Sequence, residues 1–192
     1  MASPTSLIYL LDMSRPTRTR LAVLGVIAVE PASGYAIRES IRSSIGHFWS
    51  ESFGQIYPVL NELADQGFIE VERTDARNSK VFRITDSGRS HLHELLLEDF
   101  TPQPPRDETL LRLFFGRFLG VPASVSLLRD SVAANEELLA HLVQLRRTLE
   151  VEYADSPDLR YWVLTVRGGE YAAEAKINWA REAMAALEGG AP

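Results

Sequence analysis

A primary amide and a phenol, Gln55 and Tyr57, stand two residues apart at the head of a segment whose apolar residues recur with helical spacing. Further on, Arg77 and Lys80 bracket Asn78-Ser79 between two short alternating runs. These groups donate and accept hydrogen bonds and carry positive charge, but none is a nucleophile with a base beside it. The chemistry on offer is recognition, not bond making. No Gly-x-Ser-x-Gly elbow, no Gly-rich phosphate loop after a strand and no His-Glu-x-x-His occurs. With no cysteine, disulfides, thiolate chemistry and Cys-ligated zinc or iron–sulfur sites are excluded, which is compatible with a reducing interior. His91 and His93 invite a metal reading, yet residues two apart on a helix diverge and do not chelate one ion. The carboxylates of the second half are spread along amphipathic helices, where a solvated face accounts for them. Neither an enzyme nor a metal or cofactor site is expected.

The elements that must position these groups follow from period and punctuation. Ile56, Val59, Leu60 and Leu63 recur at i, i+3, i+4 and i+7, predicting a helix with one buried face. That leaves Gln55, Tyr57, Asn61 and Glu62 towards solvent or a partner. Pro58 is tolerated only near a helix start, so the helix begins near Gly54 or Gln55 and ends at Gln66-Gly67. Ile69 and Val71 then alternate with Glu70 and Glu72, and Lys80 to Thr85 alternates again, a strand pair joined through 75–79. A helix followed by a two-stranded ribbon is the winged variant of helix-turn-helix. Upstream, Thr17 to Val29 forms a first helix stopped by Glu30-Pro31. Ser33 caps a second, from Gly34 to about Ile45, with Ile37 and Ile41 inward and Arg38 and Arg42 on another face. Phe48 and Trp49 are expected to pack in the core or at the elbow, the alternative being direct contact with DNA. Thr85 opens a further helix with Leu92, Leu95 and Leu96 at its apolar positions.

Thr101-Pro102-Gln103-Pro104-Pro105 cannot continue a helix and reads as a linker. Beyond it everything is helical. Leu110, Leu111, Phe114, Phe115 and Phe118 make a helix apolar around most of its circumference, which predicts burial between other elements. Val125, Leu128, Val132, Leu139 and Leu142 form one stripe of a long helix, with Asn135 in the seam as either a polar edge or a register-setting residue. Leu138, Leu145 and Leu149 widen the stripe, so the helix must pack on others within the chain or across a dimer. The last helix carries Trp162, Val166, Ala173, Ile177, Ala180 and Met184. Its central Gly168-Gly169, each about 1 kcal/mol worse than alanine, predicts the close approach of another helix. The fold class is therefore mainly α with a small two-stranded β wing: an N-terminal arm over 1–16, a winged helix-turn-helix domain over 17–100 and a helical dimerisation domain over 106–188. The apolar run Ser6 to Asp12 is too short to span a membrane and reads as a loose terminus or an arm packing on a partner subunit. No membrane association is expected, and a cytoplasmic location is.

At 192 residues, 45% of them hydrophobic, the chain suffices for one or two domains with a sizeable core. The formal charge of −6 argues at first against nucleic acid, but residues 1–93 hold ten basic and ten acidic residues, so the whole excess lies in the second half. The first half presents a basic face if Arg38, Arg42, Arg77, Lys80 and Arg83 gather on it. In helix-turn-helix proteins the first residues of the second helix reach base edges. Gln55 suits adenine N6 and N7 in bidentate fashion, and Tyr57, with one hydroxyl, suits a phosphate. Arg77 and Lys80 flank the wing tip, placed to lie along phosphates or enter the minor groove.

The chain also resembles a known family. Ser33-Gly34-Tyr35, Phe48-Trp49, Gly54 to Leu60, Leu63 to Ile69 and Lys80 to Gly88, in that order and spacing, are similar to PadR-type transcriptional regulators. Arg106 to Leu111 with Leu113 to Gly116, and Arg167 to Glu170 with Trp179 and Glu182-Ala183, resemble the C-terminal domain of the virulence-activator subgroup. The resemblance implies a symmetric homodimer, sequence-specific binding to double-stranded DNA at an inverted repeat, and a ligand-responsive repressor, although the residues leave repression and activation open. It supports Tyr35 and Ser52 as phosphate contacts. It further implies a small aromatic or amphipathic effector near the dimer junction, for which Trp49, Phe115, Trp162 and Trp179 are the candidates. Two departures stand out: Phe53 replaces the proline usual in relatives, and Glu51 brings a negative charge near the phosphates, so modest or salt-sensitive affinity is expected. The competing reading is a helical interaction module whose winged domain does not bind DNA, and salt-dependent DNA binding separates the two.

Overall fold

The first helix, α1 (Ser14–Val29), buries Val23, Leu24 and Ile27 and ends where Pro31 forbids continuation. The computed structural model describes residues 14–49, 53–74, 79–99 and 106–189. The arm up to residue 13, Ser52, the strand connection 75–78 with Arg77, and the linker 101–105 lie outside the described residues. The chain divides into two units, residues 1–101 and 102–192.

In the first unit α1 leads into β1 (Ala32–Ser33), a two-residue strand that the alternation pattern is too short to reveal. Ser33 accepts a hydrogen bond from the Ala36 N–H at 3.2 Å and so caps α2 (Gly34–Ser40), which continues as a π-helical stretch over Ile41–Ile45. A 3-10 turn, Phe53–Gln55, opens α3 (Ile56–Asp65). Pro58 is the third residue of α3, where an N–H would have no intrahelical acceptor. At the other end Gly67 has φ +74°, which lets the Phe68 N–H reach the Leu63 carbonyl at 2.9 Å and the Gly67 N–H reach Ala64 at 3.0 Å. This paired return is the glycine stop that the sequence implies.

Strands β2 (Ile69–Thr74) and β3 (Lys80–Ile84) pair antiparallel, and β1 joins the far edge of β3, giving the order β1-β3-β2. The sheet thus has three strands, one more than the expected pair. Alternation along β2 fails beyond its first residue: Ile69 is buried, but Val71 is 46% exposed. A register shift between Val71 and Arg73 accompanies this, and the strand has run past the helices that cover Ile69. Thr85 accepts from the Gly88 N–H to cap α4 (Asp86–Leu97), and its hydroxyl donates to the Gly67 carbonyl at 2.7 Å. Leu95 is buried and Leu92 packs on the core, but Leu96, expected beside them, is 64% exposed. The core of this unit joins Leu24, Ile37, Ile41, Leu60, Leu63 and Phe82 from four helical segments and the sheet.

The second unit is wholly helical among the described residues. Asp107 accepts from the Leu110 N–H to cap α5 (Glu108–Phe114), followed by α6 (Gly116–Leu119), α7 (Val121–Glu152) and α8 (Leu159–Gly189). α7 and α8 form a hairpin: Tyr153 and Trp162 meet edge to face at 5.4 Å near the turn, Arg146 donates to Glu170 at 2.8 Å midway, and Leu128 and Val132 pack with Ile177 and Ala180. The predicted stripe is the hairpin seam, with Val125, Leu128, Val132 and Leu142 buried. Asn135 donates to the Ser131 carbonyl at 2.7 Å, a bond within its own helix. The described residues of one chain leave the apolar surface of α5 and α6 largely open: Phe114 is 83% and Phe118 87% exposed, and α7 meets these short helices on one side. At Gly168 an added Cβ would find nothing within 4 Å, whereas Gly169 is half-buried.

Candidate nucleic-acid interface

The amphipathic pattern of α3 decides which side chains the first unit presents. Ile56, Val59, Leu60 and Leu63 are each no more than 4% exposed, so the opposite face is turned out. Gln55 is the N-cap residue, exposed, and its amide makes no capping bond, so its donor and acceptor pair is uncommitted at the helix start. Tyr57 is 61% exposed and Tyr35, on the first turn of α2, is 65% exposed. An amide and two phenols therefore stand on the outer surface of two packed helices. Asn61 also faces out. Glu62 does not: it is half-buried and takes an ion pair from Arg20 of α1, a link between helices that nothing in the spacing of the two residues reveals.

The expected basic face is thinner than a count of cations suggests. Arg42 is held by Glu39 at 2.6 Å on its own helix, and Arg83 by Glu70, its register partner across the strands. Arg73 pairs with Glu72. Arg42 has its carboxylate within one helical turn and Arg83 has one directly opposite, the spacings at which charges on helices and sheets meet, whereas Arg73 pairs with its chain neighbour at the register shift of β2. Lys80 opens β3 and is exposed.

The aromatic residues singled out for an effector belong to different units, Trp49 to the first and Phe115, Trp162 and Trp179 to the second. Trp49 lies half-buried against the core of the first unit, its indole N–H buried without a hydrogen-bond partner. In the second unit Phe115 is 53% exposed and meets Phe114 edge to face at 5.1 Å. Trp162 belongs to the hairpin turn, whereas Trp179 packs in the seam beneath Lys176, whose ammonium is 4.5 Å from the ring centroid. These two tryptophans lie seventeen positions apart on one continuous helix, about 25 Å at 1.5 Å per residue, so they do not share a pocket in one chain. A cleft of about 190 Å³ between Ile27, Glu30, Pro31, Glu72, Arg83 and Arg89 is lined by none of the four. His91 stacks on Phe68 at 4.3 Å and meets Glu94, while His93 is exposed; no cluster of three metal-binding side chains occurs among the described residues. Nor is any described helix long and apolar enough to cross a membrane.

Comparison with known proteins adds to this geometry. Residues 23–94 match the transcriptional regulator PadR-like family, and residues 105–188 match the virulence activator alpha C-terminal family. The negative transcriptional regulator PadR of Bacillus subtilis is 27% identical over 177 residues, which span 88% of this chain and 97% of that protein. The crystal structure of Bacillus subtilis PadR in complex with operator DNA is similar with a TM-score of 0.74 at 27% identity, over 88% of this chain and 98% of that one. That of the same protein in complex with p-coumaric acid is similar with a TM-score of 0.71 at 27% identity, over 90% and 97%.

Proposed function

The chain belongs to the PadR-like family of transcriptional regulators, not to a family of enzymes, and from that premise we propose that it binds an inverted-repeat operator as a homodimer and acts as a ligand-responsive repressor in the cytoplasm. The observation that carries this reading is the outward face of α3. Its first turn offers the uncommitted amide of Gln55 with Tyr57 beside it, while the inward face is locked into the core. In this reading the winged domain spans 17–100 and the dimerisation domain 106–188. Gln55 reads an adenine edge in the major groove, Tyr57 and Tyr35 contact phosphates, and Ser52, Arg77 and Lys80 add backbone contacts from the loop and the wing. Half-sites then lie one helical turn or more apart.

A second copy of the chain is the natural cover for Phe114, Phe118 and Leu111, three large apolar side chains that are each more than half exposed in one chain. The effector class is a small aromatic acid, by analogy with the p-coumaric acid complex of the Bacillus subtilis protein. Phe115 is the most exposed of the four candidate aromatics. Because a ligand shifts DNA affinity only through different affinities for two states, the effector must weaken operator binding measurably.

The test is selection of duplexes from a random pool, followed by anisotropy titration of the recovered sequence over a range of salt. An inverted repeat with affinity falling as salt rises supports the reading. Absence of salt-dependent binding leaves a helical interaction module. Titrating hydroxycinnamic acids into the complex reads the effector, and no release across that class would leave a constitutive regulator.

A further inference from the structure

We infer that Gly34 is a positioning residue for Tyr57: by lacking a Cβ it seats the hydroxyl end of that ring against the start of α2 and so fixes where the phenol meets DNA. This rests on the proposal that the first turn of α3 faces the duplex. Gly34 is buried as the first residue of α2, and it is not among the glycines with positive φ, so its backbone conformation is open to any L-residue. The reason for glycine must therefore lie in what a side chain would touch. A Cβ at this position would stand 2.7 Å from Tyr57 Cε1 and 3.1 Å from Cζ, the carbon that bears the hydroxyl, and 3.2 Å from Leu60 Cδ1. Carbon atoms in good contact stay about 3.5–4.0 Å apart, so the ring must give way by most of an ångström.

Most of Tyr57 is in solvent, at 61% exposure, and its Cε1 and Cζ lie against the start of α2 at Gly34. Its seat on Gly34 is what ties it to the neighbouring helix. The next residue, Tyr35, is 65% exposed, so the contact also links the two phenols proposed to hold the phosphate backbone. A hydrogen bond to a phosphate tolerates only a few tenths of an ångström of error, so the seat sets a condition for contact.

The experiment is a double-mutant cycle on the full chain: Gly34→Ala, Tyr57→Ala and the pair, measured by anisotropy against the selected operator and by thermal unfolding. Gly34→Ala is expected to lose about tenfold in affinity, as for one hydrogen bond to a charged group. In the Tyr57→Ala background it should cost nothing further. Additive losses, or an unchanged affinity for Gly34→Ala, would overturn the inference. If Gly34→Ala folds poorly, rescue of its melting temperature by Tyr57→Ala supports the seat, whereas rescue only by Leu60→Val assigns the glycine to core packing and rejects it. Ring resonances of tyrosine-labelled protein without DNA report the seat separately: a shift at Tyr57 in Gly34→Ala supports it, and no shift rejects it. A wild type that binds no duplex while that shift occurs would overturn the reading of function, not the seat.

Discussion

Replacing Gln55 by alanine removes the one uncommitted amide at the head of α3 without touching its buried face. The expected result is relaxed preference at one base position per half-site, a loss of about 1–3 kcal/mol of discrimination, read by competition between operator variants. Lys80→Ala should behave differently. A lysine at the start of a wing strand acts as a point charge on the backbone, so binding to all sequences weakens together and the slope of log affinity against log salt falls by about one. If Lys80→Ala altered sequence preference while Gln55→Ala left it intact, recognition would belong to the wing. Arg83 and Arg42 are poor choices for the same test, since Glu70 and Glu39 already occupy them.

At the scale of elements, Asp107 does two things at once. Its carboxylate caps α5 through the Leu110 N–H and pairs with Lys176 of α8, where that ammonium also lies over Trp179. Burial is the largest influence on this carboxyl and works to raise its pKa. The hydrogen bond from Lys176, the Leu110 and Thr109 amides and the charge of Lys176 together outweigh it, and the net position is below the ordinary carboxylate range. A lowered folded-state pKa contributes stability that is complete above the unfolded value near 3.9 and is lost as pH falls through the folded value. Asp107→Ala should therefore cost about 1 kcal/mol at neutral pH from the cap alone. The gap between the melting curves of wild type and variant should then close below about pH 4. A gap independent of pH down to acid unfolding would show that the carboxylate contributes nothing in its charged form. In the first unit the comparable link is Arg20 to the half-buried Glu62, which ties α1 to α3.

For the whole molecule the decisive surface is the apolar one that the described residues of one chain leave exposed. Phe118 is 87% and Phe114 83% exposed, so neither contributes much to folding of a single chain, and Phe114→Asp with Phe118→Asp should leave the helical signal intact. If these side chains are the dimer seam, sedimentation equilibrium at micromolar concentration should give twice the chain mass for wild type and the chain mass for the double variant. Operator binding would fall with it, since one half-site alone holds a monomer weakly. A double variant that remained dimeric would move the interface elsewhere, to the exposed face of α8 bearing Leu164, Gly168 and Tyr171.

Local chemistry was enough to place most elements. The i, i+3, i+4, i+7 pattern gave the buried face of α3, Pro58 its start and Gly67 its stop, and Ser33, Thr85 and Gly67 act where their residue types lead one to look. These are effects of neighbours within a turn, which spacing encodes directly. The two-residue β1 escaped because two residues carry no period, and it exists only because β3 offers it an edge. The helical pattern of α5 and α6 was legible as apolar all round, but whether such a surface is covered depends on what stands opposite, and the described residues of one chain leave Phe114 and Phe118 exposed. In the candidate site Gln55 and Tyr57 were readable from their place relative to Pro58. The partners of Arg42, Arg83 and Glu62, and the seat of Tyr57 on Gly34, were not. Sequence determined which groups could meet a duplex; tertiary packing decided which remained free to do so, because a charge or a ring is committed by whatever distant residue the fold brings within reach.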